Sequence, residues 1–196
     1  MPKPEKRDFV ALGLMSGTSM DGVDLACLKT DGHKVLEKHG GLFLPFDDDF
    51  RHLLADLMKR AKAHDDIFIH GDVDRATQAL MHYYKRVIDQ YCDENSMCYG
   101  YFDLVGIHGQ TLYHAPHKGV TWQLSDGAWL AAQLGVSVID QFRLEDISKG
   151  GEGAPLLPIY HHAMIQSQAY EAQDYPIMLL NMGGVSNLTF IPQGAG

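Results

Sequence analysis

Residues 10–28 read VALGLMSGTSMDGVDLACL and place a loop of glycine, serine, threonine and aspartate between two apolar segments. The apolar flanks predict two strands of a hairpin, and the backbone amides and hydroxyls of the loop are suited to cradle a phosphate. We expect Gly17 and Gly22 to supply a positive φ or a close approach to the ligand. Asp21 is a candidate for hydrated Mg²⁺, which takes oxygen ligands and keeps several waters. Ordinary hairpin turns use the same residue types, so composition alone leaves both interpretations open.

The same design returns near the end of the chain. Residues 177–191 read IMLLNMGGVSNLTFI, which is an apolar strand, a small polar turn and a second apolar strand. Two such loops that face one another can clamp a polyphosphate between them. The repetition is more specific than either hairpin alone, and it favours phosphate binding by two opposed loops.

Size, charge and cysteine content narrow the class of protein. The 196 residues suit one core, or one domain with part of another. The net charge is −9 and the basic residues are scattered, so we expect no nucleic acid partner and no attraction to anionic membranes. We expect no secretion signal and no membrane span, since no apolar run approaches the required ~20 residues. The three cysteines have no Cys-x-x-Cys spacing, which fits reduced thiols and a cytoplasmic protein.

The segment between the two hairpins alternates strands with helices. Hydrophobic spacing predicts strand 34–44, helices 45–64 and 67–91, strands 101–108 and 121–124, helix 126–134, strand 136–140 and helix 158–170. The first three strands of the chain should form an antiparallel meander. Polar residues 108–111 follow a predicted strand, at the carboxyl edge where open α/β sheets bind ligands. The glycine-rich segment 142–158 is predicted as a ligand-facing loop, with a plain connector as the alternative.

Several motifs follow one another in a specific order along the chain. They are GTSMDGVD (17–24), HGQT (108–111), Phe142 and Arg143 with Asp146, GGEGAPL (150–156) and LNMGGVSNLT (180–189). In this order they resemble the N-terminal half of the anhydro-N-acetylmuramic acid kinase family. The similarity extends from about residue 10 to residue 191, and a set of ordered motifs is far more specific than one glycine loop.

The resemblance implies an α/β fold of the actin-like or ribonuclease-H-like ATPase type, with the active site in a cleft between two lobes. Residues 1–172 would form the first lobe, a mixed five-stranded sheet flanked by helices. Residues 173–196 would form the opening hairpin of a truncated second lobe. Family members hydrolytically open the 1,6-anhydro ring of anhydro-N-acetylmuramic acid and transfer the γ-phosphoryl group of ATP to O6. The product, N-acetylmuramic acid 6-phosphate, enters peptidoglycan recycling.

The resemblance also implies cofactors, partners and site residues. ATP and Mg²⁺ would be the cofactors, and the protein would be a cytoplasmic homodimer or would pair with a missing second half. The nucleotide would be bound by Gly17, Thr18, Ser19, Met20, Asp21, Gly22, Val23, Asp24, Asn181, Gly183 and Gly184, with Asp21 holding the metal through water. The sugar would be bound by His108, Gln110, Thr111, Arg143, Asp146, Glu152 and Asn187.

Two positions depart from the family pattern. Gln141 stands where the family has an aspartate before the Phe-Arg pair, and Asp140 is no simple replacement because a one-residue slip in a strand reverses the side chain. Glu152 replaces a glutamine, and its negative charge would repel an anionic substrate. Either change could signal a divergent specificity.

Length is the larger departure, because family members are about twice as long. Just beyond the matched hairpin they carry an Asp-Thr-Gly-Pro motif whose aspartate would activate the attacking water, and nothing after Ile191 matches it. General-base catalysis contributes about 10²- to 10⁴-fold, so we expect this polypeptide alone to be inactive. The alternative function is a non-catalytic sugar- or nucleotide-binding regulatory domain. The apolar edges of the second hairpin should dock on another copy, fold back or be disordered.

The histidines offer a weaker alternative site. His108, His114 and His117 lie close in sequence, but zinc sites usually show tighter repeated spacing with a carboxylate or thiolate partner. We therefore expect His108 to hydrogen-bond a ligand, and His161 and His162 to cap or pack their helix.

Overall fold

A computed structural model describes residues 7–63, 70–168, 170–182 and 186–194 of the chain. Its main sheet contains the strands β1 (Phe9–Ser16), β2 (Gly22–Thr30), β3 (Val35–Pro45), β4 (Leu104–Ala115), β5 (Val120–Leu124) and β6 (Ser137–Ile139). The spatial order is β3-β2-β1-β4-β5, with β6 beside β4. Strands β1, β2 and β3 form the predicted antiparallel meander, and β4 and β6 run parallel to β1 and to each other.

The helices complete an α/β arrangement. They are α1 (Asp48–Ala63), α2 (His70–Asn95), α3 (Gly127–Leu134), α4 (Phe142–Ser148) and α5 (Leu157–Gln166). A separate two-stranded ribbon is formed by β7 (Ile177–Asn181) and β8 (Asn187–Ile191). In the described part of the chain, none of the helices combines the length and hydrophobicity that a membrane span requires.

The predicted fold class is confirmed, but the sheet has six strands where five were expected. The extra strand arises because β4 is long enough to pair with two different strands along one side. Residues 104–106 of β4 pair in parallel with β6, whereas residues 110–115 pair in antiparallel orientation with β5. Strand β5 therefore extends the sheet beyond the parallel part.

Alternating burial explains why one face of the sheet carries the core. Leu12 and Leu14 on β1, with Val23 and Leu25 on β2, are almost fully buried while the residues between them are exposed or half-buried. Helices α1 and α2 cover this face with a stripe of buried side chains that recurs at helical spacing. The stripe comprises Phe50, Leu54, Leu57, Ala61, Ala76, Leu80, Tyr84, Val87, Ile88 and Tyr91. The prediction that the aromatic residues of the long helix lie in the core is confirmed for Tyr83, Tyr84 and Tyr91.

A polar contact fixes α1 against α2 at the start of α1. The carboxylate of Asp47 accepts a bond of 2.8 Å from the backbone amide of Phe50, as a residue preceding a helix commonly does. The hydroxyl of Tyr83 donates to the other oxygen of the same carboxylate at 2.6 Å. Both bonds lower the pKa of Asp47, and the bond from Tyr83 has the larger effect.

The prediction of a loop over 142–158 is wrong for its first part, which forms the helix α4. The glycines that motivated the prediction begin only at Gly150, and the seven residues of α4 contain neither glycine nor proline. Helix propensity therefore prevails before Gly150, and residues 149–156 alone form the irregular connection.

The second hairpin forms as predicted, with one covered and one bare face. Thr189 and Ile191 are buried, and the imidazole of His161 on α5 lies 2.9 Å from the hydroxyl of Thr189. His161 thus contacts the ribbon, where the sequence suggested capping or packing of its own helix. The opposite face exposes large apolar side chains that pair across the two strands. They are Met178 with Phe190 and Leu180 with Leu188.

Candidate functional site

The candidate site begins where β1 ends beside the middle of β4. Ser16, the last residue of β1, pairs in register with Gln110, and its hydroxyl donates to the side-chain oxygen of Gln110. Both side chains are buried. The loop 17–21 therefore starts at the carboxyl end of β1, beside residues 108–111, where the parallel pairing of β1 with β4 ends. The prediction that residues 108–111 follow the strand is wrong, because β4 continues to Ala115 through its pairing with β5. Open α/β sheets bind ligands at the carboxyl ends of parallel strands, and only β1 ends here.

The loop between β1 and β2 is a tight turn with exposed hydroxyls. The amide of Met20 donates to the carbonyl of Gly17 at 3.1 Å, and the hydroxyl of Ser19 donates to the carboxylate of Asp21 at 2.9 Å. The positive φ of this loop, 56°, belongs to Met20 and to neither of the two glycines. Of the two predicted roles of Gly17 and Gly22, a positive φ is therefore wrong, and a close approach to a ligand stays a prediction.

Gly22 and Val23 have packing roles in this structure. A Cβ at Gly22 would collide with the carbonyl of Leu44 and lie 2.7 Å from the ring of Phe43, so β2 approaches β3 closely at this point. The side chain of Val23 is fully buried. Contact of either residue with a nucleotide stays a prediction, and for Val23 it could come only from the backbone.

Two carboxylates stand together at the start of β2. Asp21 and Asp24 are exposed, and the pKa of Asp24 is raised first by desolvation and then by the charge of Asp21. A cation would relieve that repulsion, and oxygen ligands with bound water suit Mg²⁺. The donor set therefore fits a hydrated magnesium ion. No group of three or more histidine, cysteine, aspartate or glutamate side chains that could hold a metal occurs among the described residues, so the zinc alternative gains no support.

The predicted sugar-binding residues converge around Arg143 at the start of α4. The Nε of Arg143 donates to Nε2 of His108 at 2.7 Å, and its Nη1 donates to the carbonyl of Gly153 at 2.6 Å. The carboxylate of Asp146 accepts from the amide of Gly153 at 2.7 Å. A Cβ at Gly151 would displace that carboxylate from its bond to the loop.

This cluster contains a cation without a counterion. Within 4.0 Å of the Arg143 guanidinium, no carboxylate of a described residue is present, and burial lowers the pKa of this group. Burial, and next the charge of Arg143, lower the pKa of His108 to about 4, so the imidazole is neutral at physiological pH. An anionic or hydroxyl oxygen of a ligand would complete the hydrogen bonding of Arg143.

The remaining predicted sugar contacts are more dispersed. Gln110 is fully buried, and its amide lies 3.9 Å from the sulfur of Met58, so it supports the site from the interior. The hydroxyl of Thr111 accepts from the amide of Gln123 at 3.3 Å. The side chain of Glu152 is exposed on the glycine-rich loop.

The second hairpin is not joined to this cluster by any hydrogen bond of the described residues. Asn181 and Asn187 are exposed and face each other in register at the ends of β7 and β8. Gly183 and Gly184, predicted to bind the nucleotide, lie outside the described residues. Clamping of a polyphosphate between the two hairpins stays a prediction.

The departure at Gln141 has a structural counterpart. Asp140 accepts bonds from the hydroxyl of Ser125 at 3.1 Å and from the amide of Gly127 at 3.2 Å, at the beginning of α3. Gln141 adopts a positive φ of 59° before α4 and donates to the same hydroxyl at 2.8 Å. The carboxylate of Asp140 is thus bonded to residues at the start of α3. That Asp140 does not replace the family aspartate stays a prediction.

Sequence analysis missed Ser16 as a residue that shapes the site. Leu12, Leu14 and Ser16 lie on the same buried face of β1, and strict alternation would have placed its hydroxyl inward beside β4. The carbonyl of Gly153 was also missed, because a backbone contact leaves no residue-type signal.

An open cavity of about 410 Å³ lies between the last turns of α2 and the segment that follows it, and it is separate from the candidate site. It is lined by Asp89, Cys92, Asp93, Met97, Cys98 and Tyr99. Burial, and then nearby acidic groups, raise the pKa of the Cys92 thiol, which disfavours a reactive thiolate.

Comparison with known proteins adds an independent observation. A family model described as anhydro-N-acetylmuramic acid kinase matches residues 9–196. A protein of that name from a strain of Rhodopseudomonas palustris is 39% identical over 186 residues, which is 93% of this chain and 49% of the relative. Another from Agrobacterium fabrum is 37% identical over 185 residues, covering 94% of this chain and 49% of the relative. The chain spans about half the length of the curated relatives it matches.

Proposed function

Because the chain belongs to the anhydro-N-acetylmuramic acid kinase family, we propose that it supplies the phosphate- and sugar-binding lobe of an ATP-dependent amino-sugar kinase. The reaction would open the 1,6-anhydro ring of anhydro-N-acetylmuramic acid with water and phosphorylate O6. N-acetylmuramic acid 6-phosphate would be released for peptidoglycan recycling. The observation that carries the proposal is the guanidinium of Arg143, which forms no ion pair with the residues that the structure describes and is held by His108 on β4, the strand beside the start of the β1–β2 loop.

The nucleotide side of the proposed site is the loop between β1 and β2. Thr18 and Ser19 expose hydroxyl groups there, and the neighbouring backbone amides can donate to phosphate oxygens. Asp21 would hold hydrated Mg²⁺, which neutralises charge on the transferring phosphoryl group when bound. Without a cation, the carboxylates of Asp21 and Asp24 would repel ATP.

The sugar side is the cluster of His108, Arg143 and the loop after α4. Arg143 offers its remaining N–H groups to an oxygen of the substrate, while Asp146 holds the loop through the amide of Gly153. Phosphoryl transfer depends chiefly on positioning and on stabilisation of charge, and rigid hydrogen-bonded donors provide both. Glu152, exposed on the same loop, would weaken binding of an anionic sugar by repulsion.

We also propose that the chain alone does not turn over. The relatives are about twice as long, and the bare face of β7 and β8 would pack against the rest of a second lobe, supplied by a longer chain or by a second polypeptide. A homodimer is the further arrangement that the family suggests. ATP as substrate and the reduced cysteines fit a cytoplasmic location.

Turnover measurements test this proposal. ATP consumption would be followed with anhydro-N-acetylmuramic acid for this chain alone and for the chain joined to the unmatched half of the Rhodopseudomonas palustris relative. We expect turnover only from the joined protein, and loss of that turnover in Arg143→Gln. Lys149→Gln is the matched control, because Lys149 is an exposed cation near the end of α4 that pairs with Glu145 at 2.6 Å. Robust turnover by the short chain, or equal activity of Arg143→Gln and Lys149→Gln, would contradict the proposal.

A further inference from the structure

The contact between His108 and Arg143 determines where the imidazole carries its proton. The guanidinium has only donors, so Nε2 of His108, 2.7 Å from Nε of Arg143, must accept with its lone pair. The only proton of the neutral ring is then on Nδ1, which lies 2.8 Å from the carbonyl of Gly109 and donates to it. His108 therefore exists as a single neutral tautomer.

The backbone on the far side of the imidazole is also fixed. Gly109 has a φ of 74°, and a Cβ there would collide with the carbonyl of Leu124 on β5. This close approach holds the Gly109 peptide in one orientation, so its carbonyl is a fixed acceptor for Nδ1. The chain of contacts thus runs from the sheet through His108 to Arg143.

Arg143 is restrained through two of its three nitrogens. Nε is bound to His108 and Nη1 to the carbonyl of Gly153, while Nη2 has no acceptor among the described residues. One N–H of Nη1 and both N–H groups of Nη2 remain to donate, which is enough for two oxygens of a carboxylate or phosphate. A half-buried cation that pairs with no carboxylate of the described part of the chain favours an anionic ligand at these nitrogens.

We propose that His108 is a positioning residue, whose neutral Nδ1–H form holds Arg143 so that its terminal nitrogens bind paired oxygens of an anionic group on the ligand. The inference rests on the proposed function for the identity of the ligand. The carboxylate of the sugar acid and a phosphate of ATP share the required chemistry, and the experiment separates them.

Nuclear magnetic resonance of the intact chain tests the arrangement directly. In ¹⁵N-labelled protein, histidine ring correlations report the tautomer of His108, and the Nε–H signal of Arg143 reports its environment. We expect the Nδ1–H tautomer, and a shift of the Arg143 signal on titration with one of three probes: anhydro-N-acetylmuramic acid, ATP with Mg²⁺, or inorganic phosphate. A proton on Nε2, or an Arg143 signal that no bound probe moves, would overturn the inference.

Two variants distinguish positioning from simple packing. In His108→Gln the amide oxygen can take the place of Nε2 as acceptor, whereas His108→Leu removes the acceptor. We expect the affinity for the effective probe to fall about tenfold in His108→Leu and to stay within about threefold in His108→Gln, since a hydrogen bond to a charged group is involved. Equal losses in the two variants would overturn the inference, and the wild-type spectra decide it if His108→Leu does not fold.

The titrations keep the two proposals apart. If neither the sugar acid nor ATP binds but inorganic phosphate shifts the Arg143 signal, the proposed function fails and the positioning role stands. If a substrate binds and the Arg143 signal does not move, the positioning role fails alone.

Discussion

The two hairpins of this protein share one sequence design and end in different surroundings. In β1 and β2 the residues Leu14 and Leu25 are each 3% exposed, because β3, β4 and the helices continue the structure around them. In β7 and β8 the residues Leu180 and Leu188 are 60% and 58% exposed, because the ribbon has two strands and one covered face. The pattern of apolar strand, polar turn and apolar strand specifies a hairpin, but its burial depends on elements elsewhere in the chain.

This difference also separates the part of the molecule that holds the candidate site from the part with an exposed apolar face. Isolated two-stranded hairpins are at best marginally stable in water, and larger sheets or helical cover are needed for independent stability. The first hairpin has both, and its loop starts beside His108. The second has α5 on one face alone, which agrees with the proposal that further protein packs on the other face.

The largest expected effect comes from matched leucine truncations in the two hairpins. Leu14→Ala should lower the free energy of unfolding by about 2–5 kcal/mol, because it leaves a cavity in the core. Leu180→Ala should change it by no more than about 0.5 kcal/mol, because its side chain is already in solvent. Urea denaturation with unchanged m-values measures both. Similar losses for the two variants would mean that the second hairpin is as well packed as the first.

The glycines of the first loop give a second contrast. Gly22→Ala should destabilise the fold by about 1–3 kcal/mol, since its Cβ would collide with the carbonyl of Leu44. Gly17→Ala is the control, because its Cβ would lie 3.4 Å from the hydroxyl and 4.0 Å from the backbone nitrogen of Ser19, both ordinary contacts, and its φ is not positive. Thermal denaturation compares the two variants. An equal loss of stability at both positions would show that the loop is strained rather than tightly packed at Gly22.

Protonation of His108 should make the free energy of unfolding of the main sheet and its helices depend on pH. The folded-state pKa of about 4 lies below the ordinary 6.5, so the unfolded chain binds this proton first as the pH falls. The contribution to stability is therefore complete above about pH 6.5 and is lost as the pH falls toward 4, by about 1–3 kcal/mol. Urea denaturation of wild type and His108→Gln across this pH range gives the free energy of unfolding of each. The effect of His108 is the difference between the two slopes of that free energy against pH. Parallel pH profiles would contradict the neutral, buried state of this ring.

The smallest effect concerns the attachment of the second hairpin. Thr189→Val keeps the shape of the side chain but removes the bond between its hydroxyl and His161, and should cost about 0.5–1.5 kcal/mol. In hydrogen exchange, the amides of β8 should exchange faster in Thr189→Val, whereas the exchange rates of the β1 amides should not change. Thr121→Val is the control, because it removes a threonine hydroxyl of the main sheet that is bonded to His114 at 3.0 Å and to Gln123 at 2.8 Å. Unchanged exchange in β8 would indicate that packing alone holds the ribbon.

Local patterns were sufficient for most of the fold. Alternation of apolar residues identified β1 and β2, and helical spacing identified α1 and α2, because each pattern is set by residues a few positions apart. The same method missed α4, since the nearby glycines from Gly150 onward dominated the composition of the whole segment. It also missed the pairing of β4 with both β5 and β6, because that pairing depends on how far β4 extends past the end of β6.

The candidate site was predictable only in part, because its contacts join residues that are distant in sequence. The motif comparison singled out His108 and Arg143, but their hydrogen bond joins residues 35 positions apart and has no local signal. The positive φ at Met20 could not be inferred beside two glycines that are better suited to it. The packing role of Gly22 depends on β3, a strand that lies outside the motif.

Both proposals require that the main sheet and α4 form a ligand site around Arg143 before any second lobe is added. Calorimetric titration of the intact chain with anhydro-N-acetylmuramic acid and with ATP and Mg²⁺ tests it most directly, in wild type, Arg143→Gln and Lys149→Gln. We expect wild type and Lys149→Gln to bind at least one of these ligands, and Arg143→Gln to bind it at least about tenfold more weakly. Absence of binding by wild type, or equal affinities in the two variants, would contradict this requirement.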